Sequence, residues 1–103
     1  MIKHDRINAL LDFYKPLLTA HQQAIAELHY AEDLSITEIT EHTQNSRAAV
    51  HETLKRVETV LESYESALNL LQKHQQRKAL HQRLSALNHP AVNDIVNELN
   101  DLD

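Results

Sequence analysis

Hydrophobic residues recur every three or four positions along much of the chain, which is the spacing of one face of an α-helix. The first such block runs from Ile7 to Tyr14. Because proline disfavours helical geometry in the residue before it, Pro16 predicts that this first helix ends near Lys15.

Capping boxes predict where the next two helices begin. Thr19 followed by Gln22, and Ser35 followed by Glu38, each combine a hydroxyl that can accept the backbone N–H three residues later with a side chain there that can accept the backbone N–H of the first residue. We therefore expect a second helix from Thr19 and a short third helix that ends near His42.

The longest periodic segment predicts one long helix over residues 47–75, because its apolar positions are separated alternately by four and three residues. At about 45 Å, three short helices cannot cover it. Either the C-terminal helices fold back on it, or it pairs with a second copy. We favour a homodimer with this seam: Leu54, Val57, Leu61, Tyr64, Leu68 and Leu71.

Two further apolar faces predict short C-terminal helices over residues 79–103. The first runs from Leu80 to Leu87 and the second from Val92 to Leu102, with Pro90 near the first turn of the last helix. The whole pattern predicts a single all-α domain over residues 1–103.

Composition agrees with a helical domain and excludes several classes of site. The chain of 103 residues has no Gly and no Cys, which argues against turn-rich all-β folds and excludes glycine-rich phosphate loops and thiolate metal sites. No apolar run approaches the roughly 20 residues of a membrane span, and the N-terminus lacks a secretory signal pattern. We therefore expect a cytoplasmic protein with no membrane partner.

The charges are unevenly distributed. The net charge is −5, yet residues 46–83 hold seven bases and four acids. Nucleic-acid contacts must therefore come from this middle segment.

Residues 35–56 form a helix-turn-helix candidate, in which the second helix would enter the major groove of DNA. An ordinary pair of helices is the alternative, and periodicity alone favours it. Ala49, Val50 and Leu54 are expected to face the core. The expected nucleic-acid contacts are Ser46, Arg47, Ala48, His51, Lys55 and Arg56.

A second basic cluster lies in a stretch without acids between Glu65 and Asp94. It could follow a phosphate backbone or dock an acidic partner, although a solvated helix surface is the more common interpretation of such a patch. The cluster comprises Lys73, Arg77, Lys78 and Arg83.

The residues do not suggest catalysis. His51-Glu52-Thr53-Leu54-Lys55 resembles a zinc-protease signature only superficially, because Lys55 stands where the second imidazole ligand is required. We expect no enzyme activity, no metal and no cofactor.

Several blocks along nearly the whole chain resemble the YlxM-like family of small helical proteins from Gram-positive bacteria. The order and spacing of the blocks agree with the family pattern. They are Arg6-Ile7-Asn8-Ala9-Leu10-Leu11-Asp12-Phe13-Tyr14, Leu17-Leu18-Thr19, Gln22, Glu27-Leu28, Tyr30, Glu32-Asp33, Ser35, Glu38-Ile39, Ser46-Arg47, Ala49-Val50, Lys55-Arg56, Glu62, Tyr64-Glu65, Leu68 and Gln76-Arg77.

The resemblance implies a helix-turn-helix bundle similar to region 4 of sigma factors, with a role in DNA binding and regulation. It also implies a link to the signal recognition particle pathway, because the family's genes typically lie beside those of the particle's GTPase and its receptor.

This chain departs from the family pattern at the turn and on the helix that follows it. Thr43 and Gln44 replace an aromatic residue and a Gly or Asn, and Asn45 replaces a Val. Ala48 replaces a Gln able to read adenine, and His51 replaces a Tyr. A turn without its apolar residues is expected to hold the second helix less firmly, and Gln suits a positive φ less well than Gly.

Two functions follow from these observations. The first is a regulatory protein that binds duplex DNA, which the basic residues Arg47, Lys55 and Arg56 favour. The alternative is an accessory factor that contacts the protein or RNA component of the signal recognition particle through the second basic cluster. The acidic pI of about 5.9 and the altered turn favour this alternative.

Overall fold

The computed structural model describes residues 2–102, and it contains helices and no strand within that range. Met1 and Asp103, the two ends of the predicted domain, lie outside the described residues. The helices are α1 Lys3–Tyr14, a 3-10 turn Lys15–Leu17, α2 Ala20–Ala26 with a π-helical continuation Glu27–Ala31, α3 Ile36–Thr43, α4 Arg47–Leu68, α5 Leu70–Ser85 and α6 Pro90–Asp101.

Both capping boxes form as the sequence predicts. The Thr19 hydroxyl accepts the N–H of Gln22 at 3.1 Å, and the Gln22 amide oxygen accepts the N–H of Thr19 at 3.0 Å. Ser35 and Glu38 make the same pair of bonds at 3.1 and 3.0 Å. The backbone N–H of Ser35, and then its hydroxyl, lower the pKa of the Glu38 carboxyl. These bonds satisfy amide groups that the first turns of α2 and α3 would otherwise leave unpaired.

The helices form two compact units, one ending at Asn69 and the other starting at Leu70. In the first unit, α4 packs against α1, α2 and α3. This packing buries the α4 positions Leu54, Val57 and Leu61, whose exposures are 5%, 0% and 0%. The dimer seam predicted through these three residues is therefore wrong, because the seam faces the unit's own core. A homodimer remains a prediction, but it cannot use this face without unfolding the unit.

Tyrosine and arginine side chains tie α4 to the helices that cover it. The Arg6 guanidinium of α1 donates to both carboxylate oxygens of Glu62, at 2.6 and 2.8 Å, and this bond lowers the pKa of the Glu62 carboxyl. One turn away, the Tyr14 hydroxyl donates to the buried carboxylate of Glu65 at 2.7 Å. Such bonds fix one rotational setting of α4, because its polar positions find their partners only in this register.

Tyr30, in the π-helical turn after α2, donates its hydroxyl to Glu58 of α4. Burial, followed by the neighbouring carboxylate, raises the pKa of the Tyr30 phenol above its usual value. Tyr64 of α4 lies 5.8 Å from Tyr14, measured between ring centroids. Tyr64 is half-buried, so part of its side chain packs within the first unit and part faces solvent.

The long helix predicted over residues 47–75 ends at Leu68, and residues 70–75 belong to the next helix, α5. Asn69 has a φ of 55°, in the left-handed region, and its N–H bonds to the carbonyl of Glu65 at 2.8 Å. Asparagine accepts this conformation more readily than most residues and can therefore end a helix where glycine is absent. The hydrophobic spacing continues across Asn69, so the periodicity alone does not reveal the break.

The second unit consists of α5 and α6, which pack against each other. Helix α5 begins at Leu70, nine residues before the predicted start of the C-terminal helices, while α6 begins at Pro90 as expected. The side chain of His89 caps α6 by accepting the N–H of Ala91 at 3.2 Å. The prediction of one domain over the whole chain remains a prediction.

Candidate nucleic-acid interface

Helices α3 and α4 and the turn between them form the helix-turn-helix at the predicted position. Ile39 of α3 and Val50 of α4 are 0% and 1% exposed, and the two helices contact each other. The start of α4 is thus held by an apolar contact on its inner side, while Arg47, Ala48 and His51 remain exposed.

Hydrogen bonds organise the turn in place of the expected apolar residues. The Thr43 hydroxyl donates to the carbonyl of Ile39 at 2.8 Å and accepts the Asn45 side-chain amide at 3.0 Å. The backbone N–H of Asn45 also points to this hydroxyl at 3.4 Å. The polar residues that depart from the family pattern therefore bind one another, which offsets the loss of apolar contacts.

Gln44, at the end of α3, has a left-handed backbone with a φ of 63°. The other described residues with positive φ are Asp33, Asn69 and Asn88. Asp and Asn occupy this region several times more often than other residues with a side chain beyond Cβ. Gln44 is therefore the strained member of this group, and the turn does require the positive φ for which glycine is better suited.

Gln44→Gly is expected to raise the free energy of unfolding by about 1 kcal/mol. The left-handed conformation costs roughly 1–2 kcal/mol with a Cβ present, and part of the gain is lost to the greater freedom of glycine in the unfolded chain. Urea denaturation followed by circular dichroism measures the change. Gln44→Ala retains the Cβ and is the control, for which we expect no gain; equal stability of the two variants would contradict strain at this turn.

A groove that is open to solvent runs along the first two turns of α4. Its lining includes four of the predicted contact residues, Arg47, Ala48, His51 and Lys55, together with Glu52 of the same helix and Ile36 of α3. Ser46 is the N-cap of α4, and its hydroxyl accepts the N–H of Ala49 at 3.1 Å. Ala49 itself is exposed, so the expectation that it faces the core is wrong.

Arg47 is held by the preceding helix. Its guanidinium donates to the hydroxyl of Thr37 at 2.7 Å. This bond connects the first turn of α3 to the first turn of α4 and reduces the number of rotamers available to the arginine. Thr37 was not predicted from the sequence, because the bond joins residues ten positions apart and no local pattern indicates it.

Arg56 lies on a different side of α4 from Arg47. It lines a separate surface with Thr53 and with Thr19 and Gln22 from the start of α2. Lys55 and Arg56 share a further small surface with Glu52, so Lys55 adjoins both sides. Four of the six predicted contacts, Arg47, Ala48, His51 and Lys55, thus form a central group on α4. Ser46 lies at the start of the helix and Arg56 at the flank of the group.

A neighbouring groove adds residues that the sequence did not indicate. Lys3 and His29 line it together with His51 and Lys55. Lys3 also forms an ion pair with Glu58 at 3.0 Å. Lys3 comes close to α4 only because α1 packs on that helix. Lys3 lies far from His51 and Lys55 in the sequence, so no local pattern predicts that they share a groove.

The second basic cluster belongs to the other unit. Lys73, Arg77, Lys78 and Arg83 all lie on α5 and are exposed, and α5 carries no acidic residue. Among residues 2–102, no group of three or more metal-binding side chains is placed to hold a metal ion. No helix in the same range combines the length and the apolar character needed to cross a membrane.

Comparison with known proteins supports the resemblance. Residues 1–101 match the family described as "Putative helix-turn-helix protein, YlxM / p13 like". The chain is 44% identical to a UPF0122 protein of Oceanobacillus iheyensis over 102 residues, covering 98% of this chain and 97% of the relative. It is 45% identical to UPF0122 protein YlxM of Bacillus subtilis over 85 residues, covering 82% of this chain and 77% of the relative.

A UPF0122 protein of Bacillus thuringiensis is 47% identical over 85 residues, which is 82% of this chain and 77% of the relative. These matches extend through both helices of the motif and beyond them. The chain belongs to the YlxM/p13-like family of helix-turn-helix proteins.

Proposed function

We propose that this protein is a regulator that binds duplex DNA through the exposed face of α4. The observation that carries the proposal is the groove in which Arg47, Ala48, His51 and Lys55 lie side by side at the start of the second motif helix. In helix-turn-helix proteins, this part of the second helix contacts base edges in the major groove.

Each side chain of the face has a role that suits its chemistry. Arg47 can donate two parallel bonds to guanine or to a phosphate, and the Thr37 hydroxyl presents its guanidinium in a limited set of orientations. Ala48 is small enough to contact a thymine methyl group. Lys55 and Arg56, about two turns along α4, supply positive charge for the phosphates on either side of the groove.

The start of α4 adds a contribution that does not depend on side-chain charge. Ser46 caps the helix, and the partial positive charge at a helix N-terminus attracts phosphate. Glu52 lies in the same groove and opposes nonspecific attraction to the DNA backbone. An acid at this position favours bases that donate, such as cytosine, and therefore contributes to selectivity.

Fluorescence anisotropy of labelled duplex DNA, titrated with the full chain at several salt concentrations, tests the proposal. If Arg47, Lys55 and Arg56 each neutralise one phosphate, the logarithm of the binding constant falls with the logarithm of salt with a slope of about −2 to −3. Absence of binding at low salt, or binding without this dependence, would contradict the proposal.

A second candidate function rests on the exposed, acid-free face of α5. Its four bases suit the closely spaced phosphates of a folded RNA, and the family resemblance directs attention to the RNA of the signal recognition particle. The same titration with that RNA separates the two functions. Binding to RNA alone would move the function to α5 and to the cytoplasmic particle, whereas preference for DNA would favour the first function.

A further inference from the structure

We infer that α5 and α6 form a homodimer interface, which is distinct from the α4 seam and from the proposed DNA-binding face. The inference starts from apolar side chains that the second unit leaves in solvent. Leu80 of α5 is 52% exposed, and Leu87, in the turn that follows α5, is 66% exposed. Ile95 and Leu99 of α6 are 54% and 36% exposed, and Leu102, at the C-cap of α6, is 83% exposed.

These residues form two matching stripes. Positions 80 and 84 of α5 are followed by Leu87 in the next turn, and positions 95 and 99 of α6 are followed by Leu102 at its C-cap. The four-residue spacing within each helix places its two apolar side chains on one side, which suits packing against another helix. Leu84 is half-buried, so the α5 stripe is partly covered at its middle position and exposed at Leu80 and Leu87.

The occupant of this surface is identified by charge. Helix α5 carries bases and no acid, whereas α6 carries Asp94, Glu98 and Asp101 and no base. Arg83 lies three residues after Leu80 and four before Leu87, so it flanks the α5 stripe. Glu98 lies three residues after Ile95 and four before Leu102, and it flanks the α6 stripe in the same way.

A second copy of the chain can cover both apolar stripes and pair both sets of charged residues. A two-fold axis that places α5 of one copy against α6 of the other covers each apolar stripe and pairs each basic flank with an acidic flank, and it does so twice. Pairing α5 with α5 would instead place like charges opposite each other. The second unit is therefore self-complementary only in the α5-to-α6 arrangement.

Sedimentation equilibrium of the full chain tests the interface. We expect a dimer at micromolar concentration, and Ile95→Lys is expected to raise the dimer dissociation constant at least tenfold, because it places a charge within the apolar stripe. Leu17→Lys is the matched control, since Leu17 is 53% exposed and lies outside the second unit. A monomeric wild type, or equal effects of the two substitutions, would overturn the inference.

A charge exchange identifies the second copy as the occupant. Arg83→Glu alone is expected to weaken the dimer about tenfold, because it sets an acid against the acidic flank of α6 at two places. Adding Glu98→Lys to the same chain is expected to restore most of the affinity. Failure of this double variant to recover would overturn the pairing of α5 with α6, whether or not the protein still dimerises.

Discussion

Arg47→Glu combined with Lys55→Glu is expected to lower the affinity for duplex DNA by about a hundredfold or more at moderate salt. Both side chains are exposed in the groove on α4, so their loss removes two cationic contacts and adds two charges that repel phosphate. The slope of the logarithm of the binding constant against the logarithm of salt is expected to become shallower by about 2. Anisotropy titrations at several salt concentrations measure both quantities.

A matched pair of substitutions on α5 tests whether DNA binding depends on the α4 face or only on the net charge of the chain. Lys73→Glu with Lys78→Glu changes the charge of the chain by the same amount, and both residues are exposed. We expect this variant to retain most of the affinity for DNA. Equal losses in the two double variants would mean that overall charge drives binding, and a loss confined to the α5 variant would assign binding to the second unit.

The starts of α2 and α3 and the end of α1 could be predicted from the sequence because their signals are local. The capping boxes of Thr19 and Ser35 involve residues only three positions apart, and Pro16 acts on the residue next to it. The break after Leu68 could not be predicted in the same way. It depends on one asparagine in a left-handed conformation within an unbroken apolar pattern.

The apolar seam of α4 shows why a repeat of four and three does not by itself indicate a dimer. The repeat states which side of a helix is buried, but it does not state what covers that side. Helix α4 has 22 residues, about 33 Å, and α1 and α2 pack along it. No long uncovered segment of α4 therefore exists, because the helix ends at Leu68 and does not continue to residue 75.

The exposed side of α4 was largely predictable, whereas the groups that pack beside it were not. Helical spacing was sufficient to place Ala48, His51 and Lys55 on one exposed side of α4. The bond from Arg47 to Thr37 and the approach of Lys3 depend on how separate helices pack. Such long-range pairs leave no periodic signal in a single sequence.

Leu61→Ala is expected to lower the free energy of unfolding by about 2–5 kcal/mol. Leu61 is 0% exposed within the first unit, so truncation removes apolar contacts and leaves a cavity that the surrounding helices fill only in part. Leu68→Ala is the matched control on the same helix and in the same predicted seam. Leu68 is 46% exposed, and we expect its truncation to cost less than about 1 kcal/mol.

Urea denaturation followed by circular dichroism distinguishes a core position from an interface position along α4. If Leu61 belongs to the core, its truncation destabilises the folded chain and leaves the dissociation constant of the α5–α6 dimer unchanged under conditions where the variant is folded. If the α4 seam were an interface, Leu61→Ala would instead separate the copies while each copy stayed folded. A loss of stability no larger than that of Leu68→Ala would contradict the packing of α1 and α2 over this side of α4.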